Sequence, residues 1–86
     1  MKVSVIIPVY NEEKTIKSLL QTLKPVKAKA EILFVDGGST DRTLSLIPKE
    51  YRVLRGVKGR ARQMNLGAEK SSGDVLFFLH CDSELP

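Results

Sequence analysis

The sequence predicts an α/β protein, a Rossmann-like three-layer α/β/α sandwich whose parallel sheet has about four strands. Three observations support this prediction. Short runs of valine, isoleucine and leucine alternate with segments in which apolar residues recur at helical spacing. The runs are apolar on both faces, as in the covered strands of parallel sheets. Strands that alternate with helices over so short a chain indicate parallel pairing through right-handed crossovers.

The first strand is predicted at residues 3–9, where β-branched residues are nearly continuous. Pro8 is expected to end its pairing, because proline has no N–H to donate. Asn11 is a favourable N-cap for the helix that follows, and Pro25 is expected to mark the end of that helix. The apolar stripe of the helix comprises Ile16, Leu19, Leu20 and Leu23.

The second strand is predicted at residues 31–35. A short helix that contains Leu44 and Ile47 is expected to follow it. Thr40 and Asp41 are suited to cap that helix, since their side chains can accept hydrogen bonds from its first N–H groups.

The remaining segments predict a short third strand at residues 51–54 and a fourth strand at residues 75–79. A helix from Gly59 to about Ser71 connects them, and Gly73 is expected to act as its C-cap or as a turn residue. Because the direction of winding reverses after the third strand, we expect the strand order 3-2-1-4 with the first strand central.

A chain of 86 residues supports one domain, residues 1–86, and excludes a two-domain enzyme. No apolar run approaches the roughly 20 residues that span a bilayer. Because Met1 and Lys2 lead directly into a strand-like segment, a signal peptide is not expected. The single cysteine, Cys81, cannot form an intrachain disulfide, which fits a reducing compartment. The expected location is therefore cytoplasmic.

The net charge of +4 is concentrated in a basic segment at residues 49–62. Clustered cations favour polyanionic ligands, although a solvated basic face is the alternative. Aromatic residues do not alternate with these cations, as single-strand recognition would favour, so nucleic acid is not an expected partner.

Polar residues follow all four predicted strands at the point where each strand ends. In open α/β sheets, ligands bind beyond the carboxyl ends of the strands. The sequence therefore predicts a ligand site at this edge of the sheet. The four segments concerned are residues 10–12, 36–41, 55–62 and 80–82.

The segment Asp36-Gly37-Gly38-Ser39 matches neither the GxGxxG pattern nor the P-loop. Its glycines would let the backbone approach a ligand closely, and Asp36 could accept a hydrogen bond from a base or ribose. Ser39 could bond a ligand or the nearby backbone. A tight turn with an Asx-type hydrogen bond is an adequate alternative for Ser39 to Asp41.

Asp82 follows the fourth strand, where its carboxylate could hold a divalent cation, Mn²⁺ or Mg²⁺, that bridges a diphosphate. His80 would project to the same side, either as a second ligand or as a hydrogen-bonded structural residue. Cys81 is expected to be a small packed residue rather than a nucleophile.

Arg60 and Arg62 lie at the start of the third predicted helix, where cationic side chains and free N–H groups suit phosphate. Surface solvation is the alternative for both, and it is the better interpretation for Lys49 and Arg52. Tyr10 could stack on a base or cover the edge of the sheet.

Four segments in succession carry a family resemblance: VIIPVYNEE (5–13), FVDGGSTDRT (34–43), GRARQMNLGA (59–68) and GDVLFFLHCDSELP (73–86). In this order they resemble the family 2 glycosyltransferases, which have the nucleotide-diphospho-sugar transferase A-type fold. The resemblance covers nearly the whole chain, and it is to the N-terminal, donor-binding part of these enzymes.

The resemblance implies a glycosyltransferase that binds a UDP- or GDP-linked sugar with a divalent cation and transfers the glycosyl group to an acceptor. It implies that Pro8 to Glu12 and Asp36 cradle the base and ribose, and that Arg62 lies near the diphosphate. Asp82 would be the remaining carboxylate of the metal-binding D-x-D motif. The predicted nucleotide-binding residues are Pro8, Val9, Tyr10, Asn11, Glu12, Asp36, Gly38, Ser39, Arg60, Arg62 and Cys81, and the predicted metal ligands are Asp82 and His80.

Two positions depart from the family pattern. Gly37 replaces the second residue of the usual Asp-Asp-Gly-Ser, which removes one possible base contact and leaves the base open. His80 replaces the first Asp of D-x-D, so its part in binding metal or ribose stays open.

No catalytic residue is predicted, because family members carry the base that activates the acceptor later in their sequences. The chain is therefore expected to be a donor-binding part with little transfer activity of its own. A non-catalytic nucleotide-binding or interaction module is the alternative. Self-association through the edge formed by residues 75–79 is a further expectation.

Overall fold

The computed structural model of the protein describes residues 1–80. Its elements are β1 (Val3–Val9), α1 (Ile16–Lys27), β2 (Ala30–Asp36), α2 (Thr43–Leu46), β3 (Arg52–Arg55), α3 (Arg60–Lys70) and β4 (Val75–Phe78). All strand pairings are parallel, and the order across the sheet is β3-β2-β1-β4. The predicted element order, parallel pairing and strand order are confirmed.

Buried apolar side chains cover both faces of the two central strands. Because side chains alternate along a strand, β1 and β2 contribute to two separate clusters. The larger cluster lies beneath α1 and includes Val5, Ile7, Val9, Phe34, Ile16 and Leu23. The smaller lies beneath α3 and includes Ile6, Leu33 and Val35, with Leu66 and Ala68 packed against it. The helices therefore lie on both sides of the sheet, as the sequence predicts.

Both predicted boundaries of α1 are wrong. The helix begins at Ile16, after a turn in which the N–H groups of Thr15 and Ile16 donate to the Glu12 carbonyl at 3.0 and 2.8 Å. Asn11 is therefore not its N-cap. Pro25 lies inside the helix, which continues to Lys27. Since the helix ends two residues later, the missing N–H of Pro25 costs one hydrogen bond near its end.

A hydrogen-bond network around Glu31 lies at the amino edge of the sheet, meaning the end at which the parallel strands begin. Its carboxylate accepts bonds from the Ser4 hydroxyl at 2.8 Å and from the Ser72 N–H at 2.9 Å. The bond from the Ser72 N–H holds the pKa of Glu31 below its ordinary value of 4.5, although desolvation opposes the shift. Gly73, a turn residue, donates to the Ser4 hydroxyl oxygen at 2.9 Å. The network thus joins β1 and β2 to the turn before β4.

The β4 strand forms one edge of the sheet, and its side chains are largely exposed. Phe77 is 57% exposed and Phe78 is 38% exposed, although successive residues of a strand face opposite sides. The strand is apolar on both faces, as predicted, but within residues 1–80 it is not buried. Exposed apolar edges of this kind favour pairing with another strand, so self-association through β4 stays a prediction.

Among residues 1–80, no helix has the length and apolarity that crossing a membrane requires.

Gly67 sets the distance between α3 and the sheet. A Cβ added at this position would lie 2.3 Å from Cγ2 of Ile6 and 3.1 Å from Cγ2 of Val35. We expect Gly67→Ala to lower the free energy of unfolding by about 1–3 kcal/mol, because overpacking outweighs the better helix propensity of alanine. Urea unfolding measures this effect, and Asn65→Ala at an exposed position of the same helix is the control. Equal stability of Gly67→Ala and the parent protein would contradict the close packing of α3.

Candidate functional site

Three loops meet where β1, β2 and β3 end. We name them loop 1 (residues 10–15), loop 2 (residues 37–42) and loop 3 (residues 56–59). Loop 2 is tied to β1 by the Gly37 N–H, which donates to the Val9 carbonyl at 3.0 Å. Loop 3 is tied to β2 by the Gly56 N–H, which donates to the Asp36 carbonyl at 2.8 Å. The predicted clustering at the carboxyl edge is therefore found for the segments that follow β1, β2 and β3. Residues 81 and 82 of the fourth segment lie outside the described residues.

Asn11 joins loop 1 to loop 2. Its N–H donates to the Ser39 hydroxyl at 2.9 Å, and its side-chain oxygen accepts from the N–H groups of Thr40 at 2.8 Å and Asp41 at 3.3 Å. Its φ is 51°, in the left-handed region that asparagine tolerates better than most residues. Asn11 thus fixes two loops to each other rather than capping a helix.

Asp41 provides a second connection between these loops. Its carboxylate accepts from the N–H and hydroxyl of Thr43 and, at 3.3 Å, from the N–H of Glu13. The Thr43 hydroxyl in turn accepts from the Glu12 N–H at 2.7 Å. Desolvation raises the pKa of Asp41, but the hydrogen bonds from Thr43 outweigh it and hold that pKa below its ordinary value of 3.8. The ionised carboxylate is therefore part of the loop scaffold.

Asp36 is almost fully buried, and its carboxylate turns back onto loop 2. One oxygen accepts from the Gly38 N–H at 2.9 Å, and both accept from the Ser39 N–H at 3.1 and 3.2 Å. This is the tight-turn arrangement that the sequence left open. Gly38 has a φ of 95°, which explains the glycine. The buried Asp36 carboxylate is therefore part of the loop scaffold.

Gln63 is a site residue that the sequence analysis missed. Its side-chain nitrogen donates to the carbonyls of Val9 at 3.0 Å and Val35 at 2.8 Å, and its side-chain oxygen accepts from the Gly59 N–H at 3.2 Å. The prediction of α3 used the spacing of its apolar residues, and that spacing does not indicate a role for the polar residue Gln63. The available signal was its position four residues before Gly67, which places both on one face of the helix.

A cavity of about 180 Å³ opens between loop 1, loop 3 and the start of α3. It combines two cations, Lys58 and Arg60, with the N-terminal end of α3, where free N–H groups and the helix dipole favour anions. The Lys58 ammonium lies 4.2 Å from the centre of the Tyr10 ring, within the range of a cation–π interaction. The cavity is lined by Pro8, Val9, Tyr10, Glu12, Lys58, Gly59, Arg60, Gln63 and His80.

The predicted site residues divide into three groups. Those that line the cavity are Pro8, Val9, Tyr10, Glu12, Arg60 and His80. Those that belong to the loop scaffold and do not line it are Asn11, Asp36, Gly38 and Ser39. Arg62 is exposed on α3 and does not line it either. The predictions for Cys81 and Asp82 lie outside the described residues. Within residues 1–80, no three His, Cys, Asp or Glu side chains form a group that could hold a metal ion.

Comparison with protein-family models matches residues 4–86 to "Glycosyl transferase family 2". Among curated proteins, the chain is 34% identical over 94 residues to poly(ribitol-phosphate) beta-N-acetylglucosaminyltransferase TarS of Staphylococcus aureus. It is 37% identical over 91 residues to glycosyltransferase AglE of Haloferax volcanii. These matches cover 95% and 93% of this chain but only 16% and 30% of the two relatives.

Two solved structures show the same fold over nearly the whole chain. The crystal structure of S. aureus TarS residues 1–349 matches with a TM-score of 0.84 and 32% identity, over 95% of this chain and 28% of that one. Glucosyl-3-phosphoglycerate synthase from Mycobacterium tuberculosis matches with a TM-score of 0.78 and 30% identity, over 94% of this chain and 33% of that one. The latter structure is a complex with Mn²⁺, UDP and glucosyl-3-phosphoglycerate.

Two substitutions at Asn11 distinguish the stability that comes from its side-chain hydrogen bonds from the strain of its left-handed backbone conformation. Asn11→Gly removes the side-chain bonds to loop 2, keeps the backbone N–H that donates to Ser39, and provides a residue that adopts a φ of 51° without strain. Asn11→Ala removes the same bonds and adds that strain. We expect Asn11→Ala to be the less stable by about 1–2 kcal/mol in denaturant unfolding. Equal stability of the two variants would show that loop 1 does not hold this conformation in solution.

Proposed function

Because this chain belongs to glycosyl transferase family 2, we propose that it binds the nucleotide-diphospho-sugar donor of a glycosyl transfer reaction at the carboxyl edge of its sheet. The observation that carries the proposal is the cavity beside Tyr10, Lys58 and Arg60. Two cations and the N-terminus of α3 supply the charge that a diphosphate requires. The UDP complex of the M. tuberculosis synthase, a structural relative, supports a nucleotide as the ligand class.

The cavity offers different chemistry to the two ends of a nucleotide. Tyr10 presents an aromatic ring that a base or ribose can pack against, and it lies under the Lys58 ammonium. Arg60, in the first turn of α3, is suited to the diphosphate. The volume of about 180 Å³ is below the roughly 300 Å³ at which sites for whole small-molecule ligands begin. Residues 1–80 therefore account for part of a donor site.

We further propose that Asp82 and the donor's phosphate oxygens hold a divalent cation, Mn²⁺ or Mg²⁺. These hard cations prefer oxygen ligands. His80 lines the cavity, and Asp82 lies two residues after it in the sequence. Such a cation would neutralise negative charge on the diphosphate. The Mn²⁺ complex of the M. tuberculosis synthase supports this cofactor.

In the proposed reaction, an acceptor hydroxyl attacks the anomeric carbon of the sugar while the bond from that carbon to the diphosphate oxygen breaks. Lys58 and Arg60 would stabilise the negative charge that develops on the leaving diphosphate. We assign no general base among residues 1–80.

A non-catalytic nucleotide-binding or interaction module is the second candidate, and the exposed apolar side chains of β4 favour it. Release of the nucleoside diphosphate from a panel of UDP- and GDP-sugars above the rate without protein would exclude a non-catalytic module. Absence of binding to every one of these nucleotide sugars would instead exclude the proposed donor binding. A cytoplasmic location is also a proposal, and it rests on the single cysteine.

The metal proposal predicts that Asp82→Ala abolishes the enhancement of nucleoside-diphosphate binding by Mn²⁺. Calorimetric titration with UDP and GDP, each with and without Mn²⁺, measures this effect. Asp74→Ala is the matched control, because Asp74 lies at the amino edge, where its carboxylate accepts from the Lys2 N–H at 3.1 Å. Thermal melts show whether each variant is folded. An Asp82→Ala protein that keeps the full Mn²⁺ enhancement would exclude Asp82 as the metal ligand.

A further inference from the structure

The Gln63 side chain lies at the junction of three chain segments and is 4% exposed. A primary amide has two donor hydrogens and one carbonyl oxygen. Both donors face backbone carbonyls, that of Val9 at the end of β1 and that of Val35 near the end of β2. The amide oxygen accepts from the Gly59 N–H in loop 3. One side chain therefore connects the two central strands to the segment that leads into α3.

The residues bonded to Gln63 are neighbours of the ligand-facing groups. Val9 directly precedes Tyr10, and Gly59 lies between Lys58 and Arg60. A shift of the Val9 carbonyl or of Gly59 would therefore displace the aromatic ring or the two cations. Gly59 has a φ of 146°, a backbone conformation that the hydrogen bond to Gln63 helps to hold.

Gly37 provides the space that this amide occupies. A Cβ at position 37 would lie 2.9, 3.0 and 3.1 Å from Oε1, Cδ and Nε2 of Gln63, and these are the three nearest heavy atoms. The Gly37 N–H also donates to the Val9 carbonyl, which Gln63 shares. A side chain at position 37 and an undisplaced amide at position 63 are therefore sterically incompatible.

We infer that Gln63 is a positioning residue of the donor site, and that glycine at position 37 is required by the Gln63 amide. The amide holds loop 1, loop 2 and loop 3 in the arrangement that forms the cavity. This inference rests on the proposed donor binding, and it adds a residue and a pairwise constraint that the binding proposal does not contain.

The near-isosteric substitution Gln63→Glu tests the inference. At about pH 8 the introduced carboxylate has no hydrogen to donate to the Val9 and Val35 carbonyls, whereas at about pH 5.5 a buried carboxyl becomes protonated and donates one bond. We expect the affinity for UDP or GDP with Mn²⁺ to fall about tenfold at the higher pH, equivalent to about 1.4 kcal/mol. At the lower pH the affinity should recover to within about threefold of the parent protein.

Each affinity is compared with that of the parent protein at the same pH, because the ionisable groups of the cavity are common to both. These groups are Tyr10, Glu12, Lys58, Arg60 and His80. Because Gln63 lines the cavity, a carboxylate at this position also repels the diphosphate directly. Gln63→Met, which removes the same hydrogen bonds without adding a charge, is therefore the matched control and should lower the affinity at both pH values, whereas Gln21→Glu, at an exposed position of α1, should leave it unchanged. If folded Gln63→Glu binds as tightly as the parent protein at both pH values, Gln63 has only a packing role and the inference is wrong.

Amide hydrogen exchange tests the positioning role without any ligand. Gln63→Ala, which removes the acceptor of the Gly59 N–H together with both donors to the backbone carbonyls, should accelerate exchange at the Gly59 and Gly37 amides at about pH 8. The Gly56 amide, bonded to the Asp36 carbonyl, should exchange as in the parent protein. If the parent protein binds neither nucleotide, the proposed function fails, and exchange still decides the inference. Unchanged exchange at Gly59 and Gly37 would overturn it.

A double-mutant cycle tests the constraint on Gly37. Gly37→Ala should destabilise the parent protein, whereas in a Gln63→Ala background the same change should cost little, because the obstructing amide is absent. The free energies of unfolding of the four proteins measure the coupling. Additive effects of the two substitutions would show that Gly37 is not required by Gln63.

Discussion

The hydrogen bonds of the Gln63 amide connect the ends of the two central strands to the loop before α3, and the geometry of the candidate site depends on that connection. They are possible only because α3 lies very close to the sheet. Gly67, one helical turn further on, has no side chain to separate the helix from Ile6. An apolar contact at one turn thus sets the distance that the polar contact at the preceding turn requires.

The polar residues at the amino ends of the strands and those at the carboxyl ends have different roles. At the amino edge, the Glu31 carboxylate accepts hydrogen bonds from the Ser4 hydroxyl and the Ser72 N–H, and these bonds connect β1 and β2 to the turn before β4. At the carboxyl edge, Asn11 and Asp41 fix loop 1 to loop 2. Many polar groups of these loops are therefore engaged in scaffold contacts, and the polar and aromatic side chains that line the cavity beside them are those of Tyr10, Glu12, Lys58, Arg60, Gln63 and His80. That division of roles is what a preorganised site for a charged ligand requires.

The sequence was sufficient for the element order and strand order, because apolar runs mark the strands and the handedness of crossovers limits their arrangement. It was insufficient for Asn11, since asparagine suits both a helix cap and a left-handed turn. The apolar run of β4 identified a strand but could not show whether anything covers it. Gln63 was missed because a side chain that bonds backbone carbonyls leaves no periodic pattern. The predictions for Cys81 and Asp82 lie beyond the described residues and stay predictions.

The central claim is that a nucleoside diphosphate binds at the carboxyl edge of the sheet. Titration of the ¹⁵N-labelled protein with UDP and, separately, GDP in the presence of Mg²⁺ tests it most directly, with the amide resonances as probes. We expect the largest shifts at Tyr10 and at residues 58–60, and none at residues 72–74 of the amino edge. Shifts confined to the amino edge, or no shifts with either nucleotide, would contradict the account.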